Sequence, residues 1–449
     1  MNTMARLDLL LDPWIDVLHT DGSTHSAGLL EVSGSLGDIY DVSEADPLLR
    51  VAIRRILLAI EIAGGVKHLE QFSDRFQLDG PLPFFATTGL AEQFGQQYVR
   101  PEAQLALLAA QGGATLIDQR TCDPSDESSE TWRSASWRSA LADLLIQQAW
   151  APGGLLSAPR SDLSVSASAA DAPLAGRVSA WVVGPDLASS FEVMRSLMMP
   201  IPEDDAPTWC PPPGADRGRR APGDSPRSRS SRGPLEALTW VSRRVDLLGS
   251  RRCEGVVVSD GDRQADQHWD DLPDVVWMAG KAGVKFSARV APGKGIEAAV
   301  CAAVAGRLGE AVVAHGGAGV ACIEATAMVH KQKAVHGSVS EWALVGDAAS
   351  LRRCGRLGDL DRQIGGLAEL GDATAAVRRR ALETALHGGC AEGCVDDYAA
   401  EVLGVLEAGV EDGDTGGGDE DAAWTAAAEK RARRLIDEAL GADGGMVPA

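Results

Sequence analysis

Cys390 and Cys394, with His387 just upstream, are the closest this chain comes to a metal-ligand spacing. Zinc asks for four donors, commonly in two tight pairs, and no Cys-x2-Cys occurs in the sequence. Buried thiols at helix ends are the simpler reading, so no metal or other cofactor is expected. Hydrolytic chemistry has little more to stand on. His330 or His336 could act as a base beside a Cys or Asp, yet no Gly-x-Ser-x-Gly elbow, phosphate loop or His-Glu-x-x-His accompanies them, and no enzyme is expected. Arginine offers a clearer pattern. In Leu238 to Leu248, Trp240, Ser242 and Arg244 alternate with Val241, Arg243 and Val245, the period of a strand. One of Arg243 and Arg244 then faces outward, where it can meet an anion such as phosphate. The other packs its stem or pairs with an acid such as Asp246.

The elements that must position these residues are legible in part. Leu7 to Leu18 reads as a strand, a break at Pro13 and a second strand ending at the Asp21-Gly22 turn. Asp46-Pro47 opens a helix whose apolar face holds Leu48, Val51, Ile56, Leu57 and Ile60, with Arg50, Arg54 and Arg55 on the other side. A helix is expected over Pro101 to Gln111 and another over Trp132 to Trp150, stopped by Pro152-Gly153-Gly154. Val178 to Val183 is a strand and Asp186 to Met199 a helix. Glu203 to Arg232, dominated by Pro, Gly, Ser and Arg, reads as a disordered basic insert.

Leu238 to Leu248 with Val256 to Val258 forms a hairpin around Gly249-Ser250. A strand at Val275 to Met278 and an Ala-rich helix at Gly295 to Leu308 follow. Two strands, Val320 to Val329 and Val339 to Val345, flank a polar tip at His330 to Lys333. Asp359 to Leu370, Ala373 to His387, Val395 to Val410 and Ala422 to Leu440 are amphipathic, as in a helical bundle. The fold class is therefore α+β: a mixed, β-rich N-terminal domain over 1–350 and a C-terminal four-helix bundle over 351–449.

Bulk properties bound the function. A chain of 449 residues has room for two or three cores. A formal charge of −22 argues against coating nucleic acid by general attraction, although arginine clusters between Arg217 and Arg252 leave local contacts possible. The cysteines show no disulfide-framework spacing, Asp8 and Asp12 interrupt any signal-like start, and the apolar runs are too short for a bilayer. A cytoplasmic protein without membrane contact is expected.

Several segments in order resemble the CasA family, the large subunit of the type I-E CRISPR Cascade surveillance complex. They are Leu9-Leu10-Leu11-Asp12-Pro13-Trp14-Ile15-Asp16-Val17 with Asp21-Gly22, then Leu48 to Ile60, Asp74-Arg75-Phe76 with Pro83-Phe84, and Leu238-Thr239-Trp240-Val241-Ser242-Arg243-Arg244-Val245. The resemblance implies a subunit that finds a short protospacer-adjacent motif in duplex DNA from the minor groove, helps open the strands and docks a helicase-nuclease. Guide pairing supplies sequence specificity, so the protein needs few contacts of its own, and an acidic subunit is tolerable.

The resemblance also implies site residues. Gly153-Gly154 matches a glycine loop whose backbone lies along the minor groove, since no Cβ blocks the approach; a plain helix stop is the alternative. Lys331-Gln332-Lys333 matches a wedge hairpin that separates the first base pairs, against an ordinary solvated turn. The turn is one residue shorter here, and Lys333 stands where a second amide is expected. Ile117-Asp118-Gln119-Arg120 falls where the family touches the guide's 5′ handle and the motif, with Ile117 in place of an aromatic. Arg263 is the candidate basic finger, and Arg243 and Arg244 are candidate phosphate contacts. The implied partners are the backbone, small and guide-end-binding Cascade subunits, crRNA, double-stranded target DNA, and a helicase-nuclease or other downstream effector. The alternative is a scaffold subunit of a variant Cascade coupled to another effector, with weakened motif recognition.

Overall fold

A computed structural model describes residues 7–76, 90, 92, 136–155, 168–198, 200–210, 228–250, 252–264, 272–279, 285–290, 295–315, 321–331, 334–345, 347–367, 370–411 and 419–441. The described elements begin with β1 (Ile15–His19), β2 (Thr24–Ala27), α1 (Leu29–Gly34), β3 (Ile39–Val42), α2 (Pro47–Ala63) and α3 (Val66–Gln71). After these come α4 (Trp137–Trp150), β4 (Gly154–Leu155), β5 (Ser168–Ala169), β6 (Val178–Val183), α5 (Leu187–Ser196), β7 (Ser228–Arg229) and α6 (Pro234–Leu238). Next are β8 (Arg243–Leu248), β9 (Gly255–Asp260), β10 (Arg263–Gln264), β11 (Trp277–Ala279), β12 (Lys285–Ser287), α7 (Glu297–Ala305) and α8 (Arg307–His315). The chain continues through β13 (Ala321–Lys331), β14 (Ala334–Val345), α9 (Ala348–Gly365), α10 (Gly371–His387), α11 (Cys394–Glu411) and α12 (Asp419–Gly441). This is the α+β class expected.

Two compact units emerge. One comprises 1–275, 289–294 and 326–339; the other comprises 276–288, 295–325 and 340–449. The chain passes between them repeatedly, so no single cut, at 350 or elsewhere, separates them.

In the first unit the N-terminal hairpin lies one element later than the sequence suggested: β1 pairs antiparallel with β2 and β3. Leu9 to Leu11 is a turn instead, because the Asp8 carboxylate accepts from the Leu10 N–H and Asp12 accepts from the Asp8 N–H. Helix α2 starts where expected, with Asp46 capping the Leu48 N–H at 2.9 Å and Pro47 in the first turn. Of the three arginines opposite its apolar residues, Arg54 and Arg55 are buried. Arg54 pairs with Asp41, and Arg55, 2% exposed, donates to Asp274 at 2.9 Å and to the carbonyls of Ala237 and Leu238.

The insert expected to be disordered over 203–232 is bound into the unit at both described ends. Asp205 accepts from the Leu235 and Glu236 N–H groups at the start of α6, while Arg229 and Arg232 both reach Glu236; residues 211–227 lie outside the described set. The first strand of the central hairpin starts later than expected and the second runs longer: β8 and β9 pair antiparallel from Arg243↔Asp260 to Leu248↔Gly255, and α6 lies in the segment before them. Strands β13 and β14 join β6 in a sheet of order β14-β13-β6.

The second unit is built around α7, which packs against α9, while α10 packs on α11 and α12 rests on α9 and α11. A Cβ at Gly358 would meet the Cys301 Cβ at 2.5 Å, so glycine sets the close approach of α7 and α9. Helix α9 begins eleven residues before the expected Asp359, because Asp347 and Ser350 form a reciprocal capping box there. No single described helix is long and apolar enough to cross a membrane.

Candidate nucleic-acid interface

Helix α4 delivers the chain to Gly153-Gly154. Its C-terminal end is pinned: the Trp150 indole donates to the Leu48 carbonyl at 3.0 Å, and Trp150, Ala151 and Pro152 are buried. Gly153 emerges half-buried, and its N–H donates to the Asp171 carboxylate at 2.5 Å. Gly154 and Leu155 then pair with Ala169 and Ser168, and the returning segment is fastened by Ala172 N–H to Ala151 O and Leu174 N–H to Ala149 O. The two glycines therefore lie at the start of a short two-stranded ladder whose base is fastened to the end of α4. A main chain held this way can lie along another backbone or a base edge without interference from a Cβ.

Arg243 does not point outward. It is 1% exposed, and one guanidinium nitrogen donates to Pro152 O at 2.8 Å and to Ala151 O and Ala170 O at 3.3 Å each; the other donates to the Ser242 hydroxyl. Burial lowers its pKa to about 10, opposed by the charge of Asp171. As a direct phosphate contact Arg243 is thus corrected: every described acceptor is internal. Strand alternation leaves Arg244 half-exposed, with one nitrogen donating to the Ser259 hydroxyl at 2.7 Å. Asp246, buried beside it in the strand, accepts from the Leu90 N–H at 2.8 Å.

Arg263 opens β10, which runs parallel to β7 with Arg263 opposite Ser228. Lys331 closes β13 and Ala334 opens β14, while Gln332 and Lys333 between them lie outside the described residues. So do Ile117, Asp118, Gln119 and Arg120. The loop and Arg243 are brought together; for the hairpin tip the structure describes only the flanking strands.

The cysteine group has company that its spacing does not announce. Cys390 and Cys394 are buried, as are Cys354 and Cys301, and the thiols act on one another in the order Cys301, Cys354, Cys390, Cys394. Cys354 beside it pushes the Cys390 thiol up to about 12, burial adding to the shift against Cys394. His387 turns elsewhere, to Glu341 at 2.7 Å and stacked on Trp342. Among the described residues, the ligand atoms that gather within 4.8 Å are those of Glu297, Glu341 and Glu383, and Arg379 already bridges Glu297 and Glu383 at 3.1 Å.

Gln148 and Asp171 were missed by sequence reasoning. Gln148 is a polar residue in the last turn of α4, 3% exposed, whose side chain accepts from the Arg243 N–H and donates to the Arg243 carbonyl. The one available signal was a Gln-Gln pair inside an otherwise apolar helix end.

The model of the family described as CRISPR-associated protein Cse1 matches residues 8–64 and 66–296, more than half of the chain. A curated protein of Thermus thermophilus, CRISPR-associated protein CasA/Cse1, is 28% identical over 275 residues, covering 55% of this chain. The match spans about half the length of that relative, 50%. The crystal structure of Thermus thermophilus CasA superposes with a TM-score of 0.69 at 20% identity, covering 96% of this chain and 100% of that one. For Thermobifida fusca Cse1 the TM-score is 0.66 at 17% identity, over 97% and 98% of the two chains. A chain of a CRISPR RNA-guided surveillance complex gives 0.69 at 15% identity, over 96% and 99%.

The fold is that of these CasA structures. The chain belongs to the CRISPR-associated Cse1 family, the CasA family of type I-E Cascade large subunits.

Proposed function

We propose that this chain is the non-catalytic large subunit of a type I-E Cascade-like complex. It recognises a protospacer-adjacent motif in double-stranded DNA, helps the strands open for crRNA pairing and docks a helicase-nuclease. The observation that carries this reading is the family match over 8–64 and 66–296 together with the fastened Gly153-Gly154 segment inside that stretch. A main chain presented on a rigid base suits minor-groove approach, where degenerate base edges and groove shape are read and few side chains are needed. Arg244 and Arg263 are the basic side chains assigned to phosphate or groove, and Lys331-Gln332-Lys333 the wedge that replaces lost stacking. Ile117 to Arg120 are assigned to the guide handle and motif. With a net charge of −22, most phosphate attraction is left to neighbouring subunits and the guide-bearing backbone.

A gel shift of the purified complex, with and without this subunit, tests the reading on duplexes that vary the flanking motif. Motif-dependent binding that needs the subunit and is lost in Gln332→Ala with Lys333→Ala is the expected result. Binding indifferent to the motif and to these substitutions would instead make the chain a scaffold.

A further inference from the structure

Arg243 is a costly residue to bury where it is. Its Nε finds no acceptor, its described hydrogen bonds are to main-chain carbonyls and one hydroxyl, and no carboxylate bonds it directly. An apolar side chain of similar length would fill the same space without the desolvation penalty. What the guanidinium does that an apolar chain cannot is hold three carbonyls from both sides of the glycine segment: Ala151 and Pro152 before it, Ala170 after it. Asp171, next in the chain, takes the Gly153 N–H and sets its charge against Arg243.

The same residue is fixed at its own backbone. Its N–H and C=O are both taken by the Gln148 side chain, and the Ser242 hydroxyl donates to Gln148 as well. On the other side it lies opposite Asp260, and a Cβ at Gly261 would meet the Ser242 carbonyl at 2.5 Å and the Arg243 nitrogen at 2.6 Å. Two residues further on, the chain reaches Arg263, steadied by Trp240 donating to the Asp262 carbonyl and Arg229 pairing with the Asp262 carboxylate. The glycine loop and the Arg263 strand therefore leave one buried polar node from opposite sides.

We propose that Arg243 is a positioning residue, fixing the Gly153-Gly154 loop relative to the strand that carries Arg263 so that both meet the duplex in one register. The proposal rests on the motif-recognition reading for its purpose, but the restraint itself is independent of DNA. Guanidinium geometry explains the choice of residue: a planar fork can engage several carbonyls at once, whereas lysine offers a single point.

Two measurements on the assembled complex separate the layers. In Arg243→Met, hydrogen exchange at the amides of 153–155 should speed up while the β8–β9 amides keep their protection. Unchanged exchange at 153–155 overturns the proposal. For DNA, the probe is a target duplex with a randomised flanking segment, compared with the same duplex already opened by mismatches. Arg243→Met should weaken motif-dependent binding to the closed duplex by at least about tenfold, leave the pre-opened duplex within about twofold, and be partly rescued in Arg243→Lys. Equal losses on both duplexes make Arg243 merely structural and overturn it. If Arg243→Met does not fold, Asp171→Asn, which weakens the hold on the Gly153 N–H from outside the core, should show the same pattern in milder form, and its absence counts against the proposal. Wild-type complex that ignores the flanking segment defeats the recognition reading and leaves the exchange result to decide the restraint.

Discussion

Buried charge in this molecule is a matter of single residues. Arg55 and Asp274 are 2% and 0% exposed at the side chain, and Asp274 also accepts from Ser179 while its second oxygen has no partner. Removing one member strands the other, so Arg55→Met should cost about 3–5 kcal/mol. Arg55→Met with Asp274→Leu should recover most of the loss; urea unfolding of the three variants checks this. Glu236 gives a pH signature. Burial raises its pKa, but the charge of Arg229 and the N–H and guanidinium of Arg232 outweigh burial and hold it below the ordinary 4.5. Its stabilisation is present in full above that value and is lost as pH falls through the lowered native one. Neighbouring Asp205 has the opposite sign: burial raises it, and its contribution is lost as pH rises through the raised value. Glu236→Gln should lower stability at neutral pH and flatten the acid limb between roughly pH 5 and 3 in a series of urea midpoints.

Elements here are held by their ends as much as by their faces. Helix α2 has an Asp cap followed by proline, and its C-terminal end uses Gly64 at φ 130° to release the chain. Asp46 is buried, so Asp46→Ala should cost about 1 kcal/mol, read as a lower midpoint in thermal or urea unfolding. Asp46→Asn should recover most of it. The cap was legible in the sequence because Asp-Pro before an apolar-periodic run is a local signal. The start of β8 was not. Alternation from Trp240 to Val245 reads as strand throughout, but the Trp240 ring is taken by Arg229 at 4.4 Å and its N–H by Asp262, and pairing begins only at Arg243. Partners 11 and 22 residues away made that decision.

At the scale of the molecule, each unit is assembled from separated stretches of chain, because β13 and β14 run through both. Helix α7, in which Val300, Cys301 and Val304 are buried, packs against α9, which lies after residue 347. A chain ended at residue 350 would leave that face uncovered. It should be poorly soluble or lose cooperative unfolding by circular dichroism, whereas a self-sufficient N-terminal domain would stay monomeric with a sharp transition. Net charge works at this scale too: at −22 the isolated chain repels nucleic acid on average.

By itself the sequence determined the α+β class, the α2, α4 and α10–α12 helices, and membership in a family, because these rest on periodicity, local caps and collinear motifs. It also read the alternation of Arg243 and Arg244 correctly, since period two is a local property of a strand. Which arginine lies inside, what receives it, and how a glycine loop at 153 comes under the control of residues at 148, 171 and 243 were decided only in three dimensions. A guanidinium finds its carbonyls across some ninety residues of chain, and nothing in the spacing of those residues records the meeting.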